Sequence, residues 1–205
     1  SGEIENYGGP WFNEIAPGML KFNATRLSFD PTSPYELTQN EIKARHDAWI
    51  MYELWKKEIP EFKDSKLIFS GPSIRIRESR RIVGKYTITE DDIINCRHFP
   101  DVIVKGSWYI DQHPFDKSGY HPHKLVKAYD IPYRTLITQK INNLIVAGRC
   151  HSATHGALAS TRVGITAMGM GHAAGVAAAL SVKSNSAPDA INVETLQREL
   201  VEQNA

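Results

Sequence analysis

Two hydrophobic periods divide the chain. From Ile42 through Trp49, Tyr52, Trp55 and Ile59 apolar side chains keep returning to one face at helical spacing. Thr38, with Glu41 three residues on, has the form of a capping box, so a helix is predicted from Thr38 to Pro60. From Lys66 the period shortens to two. The segments LIFS, SIRIRESR, VGKYTIT and DVIVKGSWYI, separated by Gly, Pro and Asp, predict strands of a mostly antiparallel sheet, and AYDIPYRTLI predicts one more. Residues 144–147 then form a short apolar run closed by Gly148, followed by a loop rich in Ser, Thr and His and, from about Arg162, a Gly/Ala-rich helical segment. Residues 1–37, rich in Gly, Pro and Asn, predict loop with short strands such as LKFNATRLSF, and Asn192 predicts the cap of a terminal amphipathic helix, VETLQRELVEQ. The pattern is that of an α+β fold, with its main boundary placed at 135/136.

The apolar content changes this picture at one place. Residues 163–182 run twenty positions without a charge and contain GHAAG, a GxxxG pattern. The run is rich in Ala and Gly, with a single Leu and with His172 near its middle, so a helix buried against a sheet or a ligand is expected rather than a membrane span. Charge changes little: a formal net charge of +1 with no basic stripe gives no reason to expect a nucleic-acid partner. Cys96 and Cys150 lack CxxC spacing, and the opening SGEIENYGGPWF has neither a basic n-region nor an apolar h-region, so a reducing, cytoplasmic setting is expected.

Candidate chemistry gathers in four places. Arg75, Arg77, Arg80 and Arg81 put four guanidinium groups into seven residues, a density suited to carboxylate recognition, with a solvated strand face partnered by Glu78 as the alternative. The loop DQHPFDKSGYHPH carries three histidines without a carboxylate in metal-binding register, so no metal is expected there. The order apolar run, polar loop, small-residue helix aims a helix N-terminus, with its unpaired N–H groups, at whatever the loop holds. GMGHAA, residues 169–174, matches GxGxxA and leaves open a nicotinamide-nucleotide site, although that fingerprint requires a strand immediately before it. A non-catalytic interaction module built on the Gly/Ala helix is a further alternative.

RESRRIVGKYTIT, DVIVKGSWYIDQHP, IPYRTL and NLIVAGRCHSATHGALASTRVGITAMGMGHAAGVAAAL, in that order, resemble the C-terminal part of FAD-dependent oxidoreductases of the two-dinucleotide-binding type. The similarity covers roughly residues 65–183, with the Thr38 helix matching more loosely. It implies that residues 1–135 are a substrate-side region and residues 136–205 a closing flavin-binding segment, with hydride passing from a small substrate to FAD. Carried over by position, Gly148 and Arg149 would lie near the ribityl or pyrophosphate. Ser160, Thr161, Arg162, Val163 and Gly164 would form the helix N-terminus beneath the flavin, with the Val163 and Gly164 N–H groups toward its N1 and C2 carbonyl and Arg162 adding a cation. His113, Arg77 and His155 are the catalytic candidates; Arg80, Arg81, Tyr133 and Arg134 are the substrate-binding candidates. The sequence departs from the family in having no N-terminal GxGxxG with its ribose acid. The missing FAD-binding domain of the same chain is therefore an expected partner, and residues 1–205 alone are expected to hold FAD weakly or not at all.

Overall fold

The computed structural model describes residues 11–23, 25–112 and 124–204. The fold is α+β, with two compact units, the first from the described residues up to 79 and the second from residues 80–112 and 124–204. The compact units divide at 79/80. The reason lies in the core: Ile88, Ile93 and Ile103 pack with Ile131, Leu158 and Met170, so residues 80–112 belong with the C-terminal half.

In the first unit, strands β1 (Trp11–Ala16) and β2 (Met19–Asn23) form an antiparallel hairpin with an irregularity between Glu14 and Ala16, and Gly18 turns it at φ +72°. Helix α1 (Pro34–Glu58) begins four residues before the expected Thr38. Ser33 caps it by accepting from the Glu36 N–H, and Pro34 occupies the first turn, where its missing N–H costs nothing. Thr38 and Glu41 are thereby freed: Thr38 donates to the Pro34 carbonyl, and Glu41 accepts from Arg45 and from the Ile74 N–H. Trp55 is buried and meets Phe22 edge-on at 4.8 Å and Phe12 at 5.0 Å, whereas Trp49 is exposed.

The second unit holds helices α2 (Glu90–Ile94), α3 (His155–Thr161), α4 (Gly164–Ser184) and α5 (Val193–Glu202), with strands β3 (Val102–Gly106) and β4 (Tyr129–Pro132) paired antiparallel. Of the expected strands, LIFS and SIRIRESR form no ladder, and VGKYTIT is joined to its neighbours only by isolated bridges, Gly84 to Thr138 and Ile88 to Ala153. The cause is visible in its hydrogen bonds. Ile82, Gly84 and Ile88 donate to Cys150, to the Ser152 hydroxyl and to Ser152, while Lys85 and Tyr86 donate to Ile137 and Arg134. The segment is thus divided between two neighbours and builds a regular ladder with neither. Residues 144–147, expected as a strand, make one bridge through Ile145 to Ile137.

Glycines set two close approaches. A Cβ on Gly106 would run into the buried Tyr129 ring, and one on Gly169 would lie 3.1 Å from the Val104 side chain, so the missing side chain at residue 169 lets α4 pack closely on β3. Gly169 is interior to α4, with no strand before it. A dinucleotide fingerprint needs strand, turn and helix start at that point, so the nicotinamide-nucleotide reading of residues 169–174 is overturned. α4 is long and apolar enough to cross a membrane by length and composition. Contrary to the expected burial, only one of its faces, Thr166, Met170, Ala173 and Ala177, is buried; Ile165, Met168 and Val182 on the other side are exposed.

Candidate functional site

The polar loop after residue 147 is more ordered than its composition predicts. Residues Gly148–Cys150 form a single 3-10 turn, entered by Gly148 at φ +79°, a conformation that a side chain would strain. The next residues are laced to residues 82–88 by the hydrogen bonds described above, and Thr154 caps α3 by accepting from the Ala157 N–H. The seven-residue α3 ends at Arg162, and α4 begins two residues later with Val163 as its N-cap. Chain continuity therefore brings the Gly148 turn and the start of α4 together: a Cβ on Gly148 would sit 3.8 Å from the Ala167 methyl in the first turn of α4.

The start of α4 differs from the other α-helices. Ser33, Thr89, Thr154 and Asn192 each cap their helix through a side chain, whereas Val163 has no oxygen to offer and α4 carries no side-chain cap. A Cβ on Gly164 would meet nothing within 4 Å among the described residues, so the helix is open on the side where that side chain would stand. The positive pole of a 21-residue helix lies here without a capping side-chain hydrogen bond.

Behind that opening the polar groups are tied to one another. Ser160, fully buried, donates to the Trp108 carbonyl, and since a carbonyl only accepts, Ser160 must accept from Tyr129, whose hydroxyl is 2.6 Å away. Burial pushes the Tyr129 phenol up to about 12. Thr161, also fully buried, lies 3.1 Å from Nε2 of His151, and His151 Nδ1 lies 2.7 Å from the Gly148 carbonyl. Burial lowers the His151 pKa to about 4, opposed by the hydrogen bond to Gly148 and assisted by the charge of Arg81. Arg162 is ion-paired with Asp111 at 2.8 Å and also donates to the Asp111 carbonyl, so it brings little net positive charge to the opening.

The other candidates are scattered. Arg149 is exposed on the Gly148 turn and His155 is exposed at the first position of α3. Arg80 is exposed and Arg81 half-buried, both on the approach to residues 82–88. Tyr133 is buried, its hydroxyl donating to the Pro188 carbonyl at 2.8 Å, and burial raises its pKa. Arg134 holds Asp101 through Nε at 2.8 Å and Nη2 at 3.0 Å and lies over the Tyr86 ring. Both side chains are thus engaged inside the protein. Arg77 belongs to the first unit, and His113 lies outside the described residues. Sequence reasoning passed over His151, Asp101 and Asp111. Asp101 and Asp111 stand 33 and 51 residues from the arginines they pair with, a spacing that leaves no local signal.

Two further polar features lie elsewhere in the second unit. Asp130 is buried and accepts from Lys105 at 2.8 Å, His98 at 3.1 Å and the Phe99 N–H at 3.2 Å. Burial raises its pKa, but these three bonds outweigh burial and leave the carboxyl below its ordinary value. A cleft of about 140 Å³ is lined by Asn142, Asn143, Leu144 and the ion pair of Lys85 with Asp189 at 2.6 Å. Among the described residues no three His, Cys, Asp or Glu side chains converge on a point that could hold a metal.

A protein-family model described as FAD dependent oxidoreductase matches residues 3–200. No curated protein and no solved structure matches the chain.

Proposed function

The chain belongs to the FAD-dependent oxidoreductase family, and from that premise we propose that residues 136–205 form the wall that closes over the flavin end of FAD. Its ADP half would be held by a βαβ segment that these 205 residues do not contain. The observation that carries the reading is the start of α4, which has no side-chain cap, leaves room for a side chain at Gly164 and lies beside the left-handed Gly148. Residues with these properties fit an oxygen-rich, electron-accepting ring edge.

Bound FAD would take up the hydride removed from the substrate. The chain's own part is to bind and orient. Gly148, Val163 and Gly164 would contribute backbone, Gly148 because only glycine accepts its φ and Gly164 because no side chain obstructs the opening. Arg149 would contribute an exposed guanidinium beside the turn. Ser160 and Thr161 act from behind, since their hydroxyls are engaged by Tyr129, Trp108 and His151, and Arg162 holds the α3–α4 corner through Asp111. Arg80 and Arg81 remain the groups for recognising an anionic part of a small substrate. His155 is the candidate in the second unit for moving its proton, while Arg77 belongs to the first unit and His113 lies outside the described residues. Tyr133 and Arg134 drop out of the substrate set, because both already serve internal partners.

A further βαβ segment is a reading supported by what the second unit leaves uncovered. Ile165 and Met168 are 81% and 75% exposed on α4, and Leu144 is exposed at the start of the apolar run. Such surface is costly to leave in water and is suited to packing against a sheet and helix. Two absorbance measurements test the reading. The parent protein containing the upstream segment should purify with a flavin spectrum in about 1:1 ratio, and the 205-residue chain should retain none after desalting with excess FAD. A parent without flavin would leave α4 as a protein-interaction surface, and a yellow 205-residue chain would show that no second segment is needed.

A further inference from the structure

His151 is buried, is used by no step above, and sits between the two walls of the opening. Its ring is held at both nitrogens. The Gly148 carbonyl, 2.7 Å from Nδ1, can only accept, so Nδ1 carries the proton. In a neutral imidazole Nε2 then has a bare lone pair, and Thr161 Oγ1, 3.1 Å away, is its donor. The same Gly148 oxygen also accepts the His151 backbone N–H at 3.1 Å, so this carbonyl is committed twice to one residue.

What the ring connects gives it a role. Gly148 forms one wall, at φ +79° and within contact distance of Ala167. Thr161 is the last residue of α3, two before the N-cap of α4, so it fixes where the other wall starts. A ring fixed to both sets the gap between them without touching what enters it. Histidine suits this task because it donates at one end and accepts at the other across the width of a rigid ring. A charged ring could not accept from Thr161; burial chiefly, and the charge of Arg81 in addition, keep the ring neutral.

We propose that His151 is a positioning residue for the cofactor: as a neutral Nδ1–H tautomer it clamps Gly148 to Thr161 and holds the Gly148 turn at a set distance from the start of α4. The inference rests on the flavin reading given above. It predicts that breaking either end of the clamp changes the environment of bound flavin, and that breaking the second end then adds little.

The test uses the flavin-loaded parent protein and three variants. His151→Phe removes both hydrogen bonds while keeping most of the ring volume. Thr161→Val removes one with little change of shape. His151→Asn can still donate to the Gly148 carbonyl from its amide. The expected results are a shifted visible flavin band and at least a tenfold weaker FAD affinity for His151→Phe. Thr161→Val should show a smaller change in the same direction, His151→Asn a partial return of the band to its wild-type position, and His151→Phe with Thr161→Val no more loss than His151→Phe alone.

In the 205-residue chain, nitrogen NMR of the imidazole reads the clamp without any flavin: a protonated Nδ1 and an unprotonated Nε2 between pH 6 and 8 are expected. Should His151→Phe fail to fold, Thr161→Val and the NMR tautomer decide alone. A wild-type parent that binds no flavin overturns the function itself and this inference with it. A flavin-loaded wild type whose variants keep its spectrum and affinity, or an imidazole protonated at Nε2, overturns the clamp alone.

Discussion

The contact that ties the loop after residue 147 to its neighbour can be broken by one methyl group. Gly84 lies so close to Ser152 that a Cβ on it would stand 2.6 Å from the Ser152 Cβ, 3.1 Å from its Oγ and 3.0 Å from the Tyr86 carbonyl oxygen. Ordinary carbon contacts begin near ~3.5 Å, so Gly84→Ala demands a separation of about 1 Å. Neither side can yield cheaply. Residue 84 is held by its N–H on Ser152 Oγ at 3.0 Å and by the neighbouring Lys85 N–H on Ile137 at 2.8 Å, and Ser152 is buried. Overpacking of this kind costs about 1–3 kcal/mol, and losing the Gly84 to Ser152 hydrogen bond adds about 1 kcal/mol. The expected loss is therefore about 2–4 kcal/mol. Hydrogen exchange followed by mass spectrometry can read it in the peptides spanning 82–88 and 150–154, where protection should fall roughly 30- to 700-fold. Ser152→Gly supplies the control. It costs stability by itself because the Gly84 N–H loses its acceptor, yet in that background Gly84→Ala should cost less than about 1 kcal/mol. An equal cost in both backgrounds, or a single-variant cost below about 0.5 kcal/mol, would refute the steric account.

Three other outcomes follow from the same structure. Asp130→Asn should lower stability at pH 7 by about 1–3 kcal/mol, since a buried acceptor of three donors loses its charge. Because the Asp130 carboxyl is held below its ordinary value, its contribution is full above the unfolded-chain value of about 3.9 and is lost as the pH falls through the folded value; urea curves of wild type and variant should converge near pH 2. Arg134→Lys should lower the urea midpoint by the equivalent of about 1 kcal/mol, because an ammonium cannot reproduce the two-point hold on Asp101 from a half-exposed site. Gly169→Val should cost about 1–3 kcal/mol by driving α4 off Val104. Calorimetric titration with a nicotinamide nucleotide should register no binding to the chain before or after that change, since residues 169–174 are the interior of a helix.

Local patterns were readable wherever one element answers to its own residues. Asn192 caps α5 as its sequence predicts, the small-residue run is a helix, and Gly148 closes the apolar run in a backbone conformation that favours glycine. The family was also legible, because four motifs in order carry more information than any of them alone, and the family match over residues 3–200 agrees with them. The strands were read less well. Alternation in residues 83–89 reports a half-buried extended segment, but whether it becomes a ladder depends on neighbours far along the chain, and here two of them share its hydrogen bonds.

Within the candidate site the division is the same. The sequence by itself determined that a small-residue helix begins near residue 162 and that Gly148 closes the apolar run before it, because helical pattern and φ preference are local properties. Only the tertiary structure decided which polar groups face that opening. Ser160 and Thr161 turn inward to Tyr129 and His151, Arg134 is spent on Asp101, and Arg162 is neutralised by Asp111. Each of those outcomes depends on a partner 10 to 51 residues away. A buried hydroxyl or guanidinium must find such a partner, and the chain's path through the core selects it.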